Sequence, residues 1–177
     1  MTRPIRLNKN QYVLSLEGTA DAAAGLGSTY ADEVEFRGLA TASVGGRVCA
    51  ELYHPRATNG SGEFSGIGGN LCYGAAYNAQ GRVVHTGAAR FNISLRDRRL
   101  QIPIGFNLNF HEESNGSLRS AGEVNLGFRS LLGAGVLRAP SLHPFLGMEL
   151  GVGLIFGDNQ GELYLRLGIS TGFEFDL

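Results

Sequence analysis

Apolar and polar residues alternate with a period of two along most of the chain, and no long 3.6-residue period competes with this pattern. In each segment Leu, Ile, Val, Phe or Ala alternates with Gly, Ser, Asn, Arg or Glu. The alternation covers eight segments: 12–26, 34–53, 67–77, 82–96, 100–111, 121–137, 145–156 and 162–177. The sequence therefore predicts eight β-strands.

Short segments rich in glycine and polar residues connect the predicted strands. They are 27–32, 54–65, 78–81, 97–99, 112–119, 138–143 and 157–161. Links of this length join neighbouring antiparallel strands, and an eight-stranded meander leaves two bare edges unless it closes. We therefore expect an all-β, eight-stranded up-and-down barrel formed by residues 11–177, preceded by a tail of residues 1–10.

Two local features bear on the strand boundaries. A two-residue hairpin at Gly45 and Gly46 would place Arg47 and Glu51 on the apolar side, so we expect one continuous strand through the glycines. Pro103 has no N–H to donate to a strand ladder, and a closed barrel has no free edge. We expect a bulge or a frayed end at Pro103.

Residue size indicates which row of side chains faces inward. The interior of an eight-stranded barrel is just wide enough for side chains to fill it. The polar row consists mostly of small residues with a few Arg and Glu, and the apolar row is bulky. Only 18% of the residues are charged, 27 are glycine, and Lys9 is the only lysine. These features favour a polar, filled lumen and an apolar, lipid-facing exterior. The alternative is a soluble lipocalin-like or calycin-like barrel that binds a small apolar ligand.

The last predicted strand is amphipathic and carries Phe173 and Phe175 on its apolar face. In this last strand, in the number of strands and in the alternation, residues 11–177 resemble the small outer-membrane barrels typified by the transmembrane domain of OmpA and by OmpX. The resemblance implies an integral protein of the bacterial outer membrane, surrounded by lipid or detergent. The implied role is structural, adhesive or partner-binding, without a wide pore. Residues 1–11 lack an apolar h-region, so we expect no signal peptide in this sequence.

The two cysteines lie symmetrically about one predicted link. Cys49 precedes Gly60 by eleven residues, and Cys72 follows Ser61 by eleven. A hairpin tip at Gly60 and Ser61 places the two cysteines directly opposite each other, both in the polar row. We predict a disulfide between Cys49 and Cys72, which requires an oxidising compartment. Two buried free thiols are the alternative.

Charged residues recur in the inward row of most predicted strands. A charge buried in a narrow lumen needs a partner of opposite sign. This inward set comprises Glu17, Glu35, Arg37, Arg47, Glu51, Arg90, Glu123, Arg129, Glu149, Arg166 and Glu174. Either these residues only neutralise one another, or their network plugs the barrel or gates a narrow pore.

The outward row of the first two predicted strands is unusually small. It contains Gly18, Ala20, Ala22, Ala24, Gly38, Ala40 and Ala42. Small residues permit close approach of a partner backbone, whereas lipid-facing positions usually carry larger apolar side chains. This smooth patch predicts a contact in a homo-oligomer or with another envelope protein. The alternative is a thin, weakly apolar side of a monomer.

Other chemistry has weaker support. Barrel lipid A deacylases use Ser, His and an acidic residue, and a similar set occurs here at His111, Ser114, Asn115 and Glu123. This similarity would imply a lipid-modifying hydrolase. A polar loop accounts for the same residues as well. We expect no enzyme activity. With two cysteines, no CxxC motif and scattered histidines, we expect no metal and no cofactor. The net charge of −1 argues against nucleic-acid binding.

Overall fold

The computed structural model describes residues 10–28, 41–55, 64–79, 81–96, 98–112, 118–132, 142–156 and 161–177. These residues form eight β-strands, each with the alternation seen in the sequence. The strands are β1 (Gln11–Ser28), β2 (Thr41–Pro55), β3 (Phe64–Asn78), β4 (Val83–Leu95), β5 (Leu100–Glu112), β6 (Leu118–Leu131), β7 (Leu142–Phe156) and β8 (Gly161–Asp176). The parts of two predicted strands at 34–40 and 133–137 lie outside the described residues.

The strands form one closed barrel in chain order, and β8 pairs with β1 to complete it. Every pairing is antiparallel, so the predicted closed meander is confirmed. Following directly paired residues once around the barrel from Val13 leads back to β1 at Ala23, ten residues further along. At normal strand spacings, this stagger corresponds to a tilt of about 40° and a barrel radius of roughly 8 Å.

Side-chain burial alternates along the middle of the strands. On the polar row, Glu17, Glu123 and Glu174 are buried inside the barrel. On the apolar row, large residues such as Leu150 and Ile169 are about half exposed on the outside. The predicted polar lumen and apolar exterior are therefore confirmed. The soluble calycin-like alternative is wrong, because it requires an apolar cavity where the barrel holds charged side chains.

The two predictions about strand regularity have different outcomes. β2 runs without interruption through Gly45 and Gly46, as expected, and pairs with β1 and β3 along its length. The expected bulge or frayed end at Pro103 is wrong. Pro103 pairs with Asn92 in an unshifted register. On the other side, the ladder between β5 and β6 lacks pairs at Ile102 and Pro103 and resumes without a shift. The missing N–H thus interrupts one ladder locally without displacing the strand.

No helix long and apolar enough to cross a membrane is present in the described ranges.

Candidate functional site

The middle of the lumen is occupied by two carboxylates that share several guanidinium groups. Glu17 and Arg47 are directly paired on β1 and β2. Arg47 Nε donates to Glu17 Oε2 at 2.6 Å, and Arg47 Nη2 donates to Glu149 Oε1 at 2.8 Å. Arg90 Nη1 lies 2.9 Å from the same Glu149 oxygen. Four strands on opposite walls are therefore connected across the barrel axis.

The network continues toward the end of the barrel where β1 begins and β8 ends, here called the terminus end. Arg129 connects Glu17 to Glu174, with its Nη1 at 3.0 Å from Glu174 Oε1. The guanidinium of Arg129 also lies over the ring of the buried Phe145, 4.1 Å from its centre. Glu174 forms a second ion pair, with Arg98 Nη2 at 3.0 Å. The terminus end of the lumen is thus filled by stacked ionic and aromatic groups.

Toward the opposite end, Arg166 is the central cation. Its Nη2 lies 2.7 Å from Glu123 Oε1 and 3.2 Å from Glu149 Oε2, and its Nη1 pairs with Asp21. Glu123 also accepts hydrogen bonds from Asn107 Nδ2 at 2.8 Å and from the hydroxyl of Tyr164 at 3.1 Å. This junction joins the central carboxylates to the far side of the lumen.

These contacts form one continuous network along the barrel axis. Five guanidinium groups, those of Arg47, Arg90, Arg98, Arg129 and Arg166, face five carboxylates that are almost wholly buried. These carboxylates belong to Glu17, Glu51, Glu123, Glu149 and Glu174. From Asp176 to Asp21 the network extends about 20 Å along the axis, most of the roughly 25 Å height of a membrane barrel's apolar band.

Arg98 closes the terminus end from an unusual backbone position. It lies in the turn between β4 and β5 with a φ of 66°, in the left-handed region that costs a non-glycine residue about 1–2 kcal/mol. Its side chain reaches back into the lumen, where Nη1 contacts Asp176 at 2.9 Å and Nη2 contacts Glu51 at 3.3 Å. Burial acts to lower the pKa of Arg98, but the attraction of Glu174, Glu51 and Asp176 outweighs it and raises the pKa. The guanidinium therefore stays charged.

A bulge in β3 helps to hold this turn. The register between β3 and β4 shifts between Phe64 and Gly66. As a result, the consecutive residues Ser65 and Gly66 are both buried. Ser65 Oγ accepts a hydrogen bond from the backbone N–H of Arg98 at 3.0 Å. The backbone carbonyl of Ser65 accepts a hydrogen bond from the Tyr53 hydroxyl at 2.8 Å. Gly66 has a φ of 153°, and a Cβ there would lie 2.5 Å from the carbonyl oxygen of His54. The bulge therefore requires glycine at position 66.

The cysteine pair lies on the same inward row. Cys49 and Cys72 are direct partners in the β2–β3 ladder and form a disulfide, as the spacing predicts. Both residues are buried, next to Ala88 of β4. The predicted hairpin tip at Gly60 and Ser61 lies outside the described residues.

The structure places nine of the eleven predicted inward charges in this lumen. Glu35 and Arg37 lie outside the described residues. Arg98, Asp21 and Asp176 also belong to the network, although they are not in the predicted set of inward charges. Arg98 lies in a turn, where the alternation carries no information about direction. The two aspartates lie on the inward row of β1 and near the end of β8, so the period of two was the signal that could have found them.

The described residues include only part of the smooth patch as well. Gly38 and Ala40 lie outside the described residues. The other five residues face outward on β1 and β2, where Gly18 is paired with Gly46 and Ala22 with Ala42. The structure therefore groups these five small residues on one part of the outer surface of β1 and β2, where Val44, the partner of Ala20, is the exposed larger side chain among them.

The residues of the hydrolase hypothesis are not assembled by the described part of the chain. Ser114 and Asn115 lie outside it. Glu123 is fully buried against Arg166 and Asn107. His111 lies four positions further along β5 than Asn107, the register partner of Glu123, which is about 13 Å along the strand. In the described ranges, no group of three His, Cys, Asp or Glu side chains is placed to hold a metal ion.

No protein-family model and no curated protein matches the chain in sequence. Among solved structures it is similar to Neisserial surface protein A, at 11% identity over 93% of this chain and 96% of that one, with a TM-score of 0.52. It also aligns with a de novo designed transmembrane β-barrel at 8% identity, covering 92% and 95% of the two chains, with a TM-score of 0.35. An alignment with OmpT of Vibrio cholerae lacking loop L8 has 13% identity, covers 94% of this chain and 49% of that one, and has a TM-score of 0.30. The first likeness shows the fold, and this fold with its apolar exterior is that of a bacterial outer-membrane barrel.

Proposed function

We propose that this protein is a closed, non-conducting outer-membrane barrel that serves as a membrane-embedded scaffold for partner binding. The observation that carries the proposal is the ion-pair network. Within the described strands it crosses the lumen at several levels and connects opposite walls, which argues against a wide water path along the barrel axis. A barrel built to conduct solutes would keep its polar lumen open instead.

Conductance in a planar lipid bilayer tests the proposal. The refolded protein is expected to insert without producing steady single-channel currents, beside a trimeric porin that conducts under the same conditions. Arg98→Ala removes the cation that closes the terminus end, whereas Arg82→Ala removes an exposed arginine of the β3–β4 turn and serves as the matched control. Steady, reproducible channels in the unmodified protein would overturn the proposal.

The smooth patch supports a second copy of this chain as the partner. Gly18 and Gly46 face each other across β1 and β2, and Ala22 faces Ala42. In lipid, close packing of small residues is a main source of attraction between membrane segments, because apolar side chains gain little by leaving the hydrocarbon. Two copies of this patch can meet about a two-fold axis, as an isologous contact requires.

A photo-crosslinking residue at Ala22 distinguishes a protein contact from a lipid contact. We expect a crosslinked dimer from Ala22 and none from the control position Leu150, which is about half exposed on the wall formed by β7. Capture of lipid alone at both positions would refute the dimer. Capture of a different envelope protein would also refute it and would identify another partner for the patch.

A further inference from the structure

The disulfide occupies a place that a folded protein cannot reach. The Cα atoms of Cys49 and Cys72 are 4.0 Å apart, and both side chains point into the barrel. The barrel radius is roughly 8 Å to the backbone, so even an empty lumen would be too narrow for a protein domain. An enzyme that forms disulfides must place its own sulfur in contact with the substrate sulfur. That contact is impossible once the barrel has closed.

Ionic layers also lie on both sides of the disulfide along the lumen, in the path of small reagents. Two residues from Cys49 on β2, Arg47 is held by Glu17 and Glu149. Two residues away in the other direction, Glu51 is held by Arg98. The cysteines therefore lie between the central part of the network and the Arg98 closure. Reduction or oxidation of this pair in the folded protein requires opening one of these ionic layers or a strand pair.

We propose that the Cys49–Cys72 disulfide forms before the barrel closes, by thiol–disulfide exchange with an oxidising protein disulfide in the compartment the chain crosses before insertion. One cysteine, as thiolate, attacks the oxidant's disulfide and releases one of its sulfurs as a thiolate. The second cysteine then attacks the mixed disulfide. The chain loses two electrons and two protons, and the oxidant leaves as a dithiol. The disulfide, between residues 23 positions apart in sequence, is then already present when the chain enters the membrane.

The glycine content of β2 and β3 explains how a disulfide formed before barrel closure would help the chain to fold. These strands contain six glycines, at positions 45, 46, 66, 68, 69 and 74, and glycine-rich strands specify their register weakly. A slip of one residue would turn every side chain of one strand to the other face. The bond between directly opposite residues excludes such slipped pairings in the chain before the rest of the barrel exists to select the correct one.

Timed oxidation tests the proposal. The reduced chain is treated with a purified protein disulfide oxidase either in urea, before folding, or after refolding into detergent micelles. Free thiols are then counted by maleimide-polymer labelling after denaturation. We expect rapid oxidation in urea and oxidation at least about 100-fold slower in the folded barrel. Oxidation of the folded barrel within about tenfold of the rate in urea would overturn the proposal.

Two further measurements keep the test decisive. If the reduced chain does not refold while the oxidised chain does, oxidation must come first, which supports the proposal. The folded, oxidised protein is also treated with a protein dithiol reductant and is expected to keep its disulfide until urea is added. Arg82→Cys in a chain lacking the two native cysteines is the control, because its exposed thiol should be labelled in the folded state. Ready reduction of the folded protein would contradict the inference.

Discussion

Replacing Arg129 with alanine should clearly destabilise the barrel. Arg129 joins two fully buried carboxylates, those of Glu17 and Glu174, and lies over the ring of Phe145. Removing one partner of a buried ion pair typically costs about 3–5 kcal/mol, because the remaining charge is left without compensation. Glu17 keeps Arg47 and Glu174 keeps Arg98, which favours the lower end of that range. We expect a loss of about 3 kcal/mol.

Urea unfolding in detergent measures this loss. The chain has no tryptophan, so the folded fraction is best read from the mobility difference between folded and unfolded bands on a gel. With a urea dependence of about 2 kcal/mol per molar, a 3 kcal/mol loss lowers the midpoint by roughly 1.5 M. Arg82→Ala, at an exposed turn position, should change the free energy of unfolding by less than about 0.5 kcal/mol.

Two variants separate charge from packing at this position. Arg129→Met keeps much of the side-chain volume but removes the charge, so it should lose nearly as much stability as Arg129→Ala. Adding Glu174→Gln to Arg129→Met should recover part of the loss, because one of the two carboxylates that lost Arg129 is then neutral. An Arg129→Ala midpoint no lower than that of Arg82→Ala would refute the reasoning, since it would mean that the two carboxylates do not need this cation.

Three other substitutions test separate parts of the structure. Gly45→Ala should shift the urea midpoint downward because its Cβ would collide with the carbonyl oxygen of Ala75, whereas Gly87→Ala, with open space around it, should not. Leu150→Arg on the lipid face should cost about 2–4 kcal/mol in vesicle-refolded protein, and Leu150→Ala clearly less. Replacing Cys49 and Cys72 together with alanine should lower the free energy of unfolding by about 3 kcal/mol, and an unchanged midpoint would contradict this.

The barrel was predictable because it depends on a repeated, local signal. In every described strand, the alternation specifies which side chains face inward, and β8 shows it most clearly. The position of Cys49 opposite Cys72 followed from the same logic, since pairing about a hairpin is fixed by counting residues. The interior charges on strands, such as Glu123 and Arg166, were assigned to the lumen by the same period of two.

Features that depend on non-repeating backbone were not predictable in this way. Arg98 enters the lumen from a turn with a left-handed backbone, and no periodicity describes such a residue. Ser65 faces inward only because a bulge adds one residue to β3. Pro103 was expected to disturb its strand, but one interrupted ladder accommodates it, since the neighbouring pairs on both sides hold the register. The specific partners within the ion network likewise depend on the stagger of the closed barrel, which sequence alone does not reveal.

The central claim is that the apolar rows face lipid while the charged rows fill the lumen. Gel mobility of boiled and unboiled protein, after refolding with and without detergent, tests it most directly. The account predicts a heat-dependent shift in mobility only in the samples refolded with detergent. A folded, monodisperse protein in the absence of detergent would contradict it, because a barrel with about thirty large apolar side chains exposed on its surface could not remain dispersed in water.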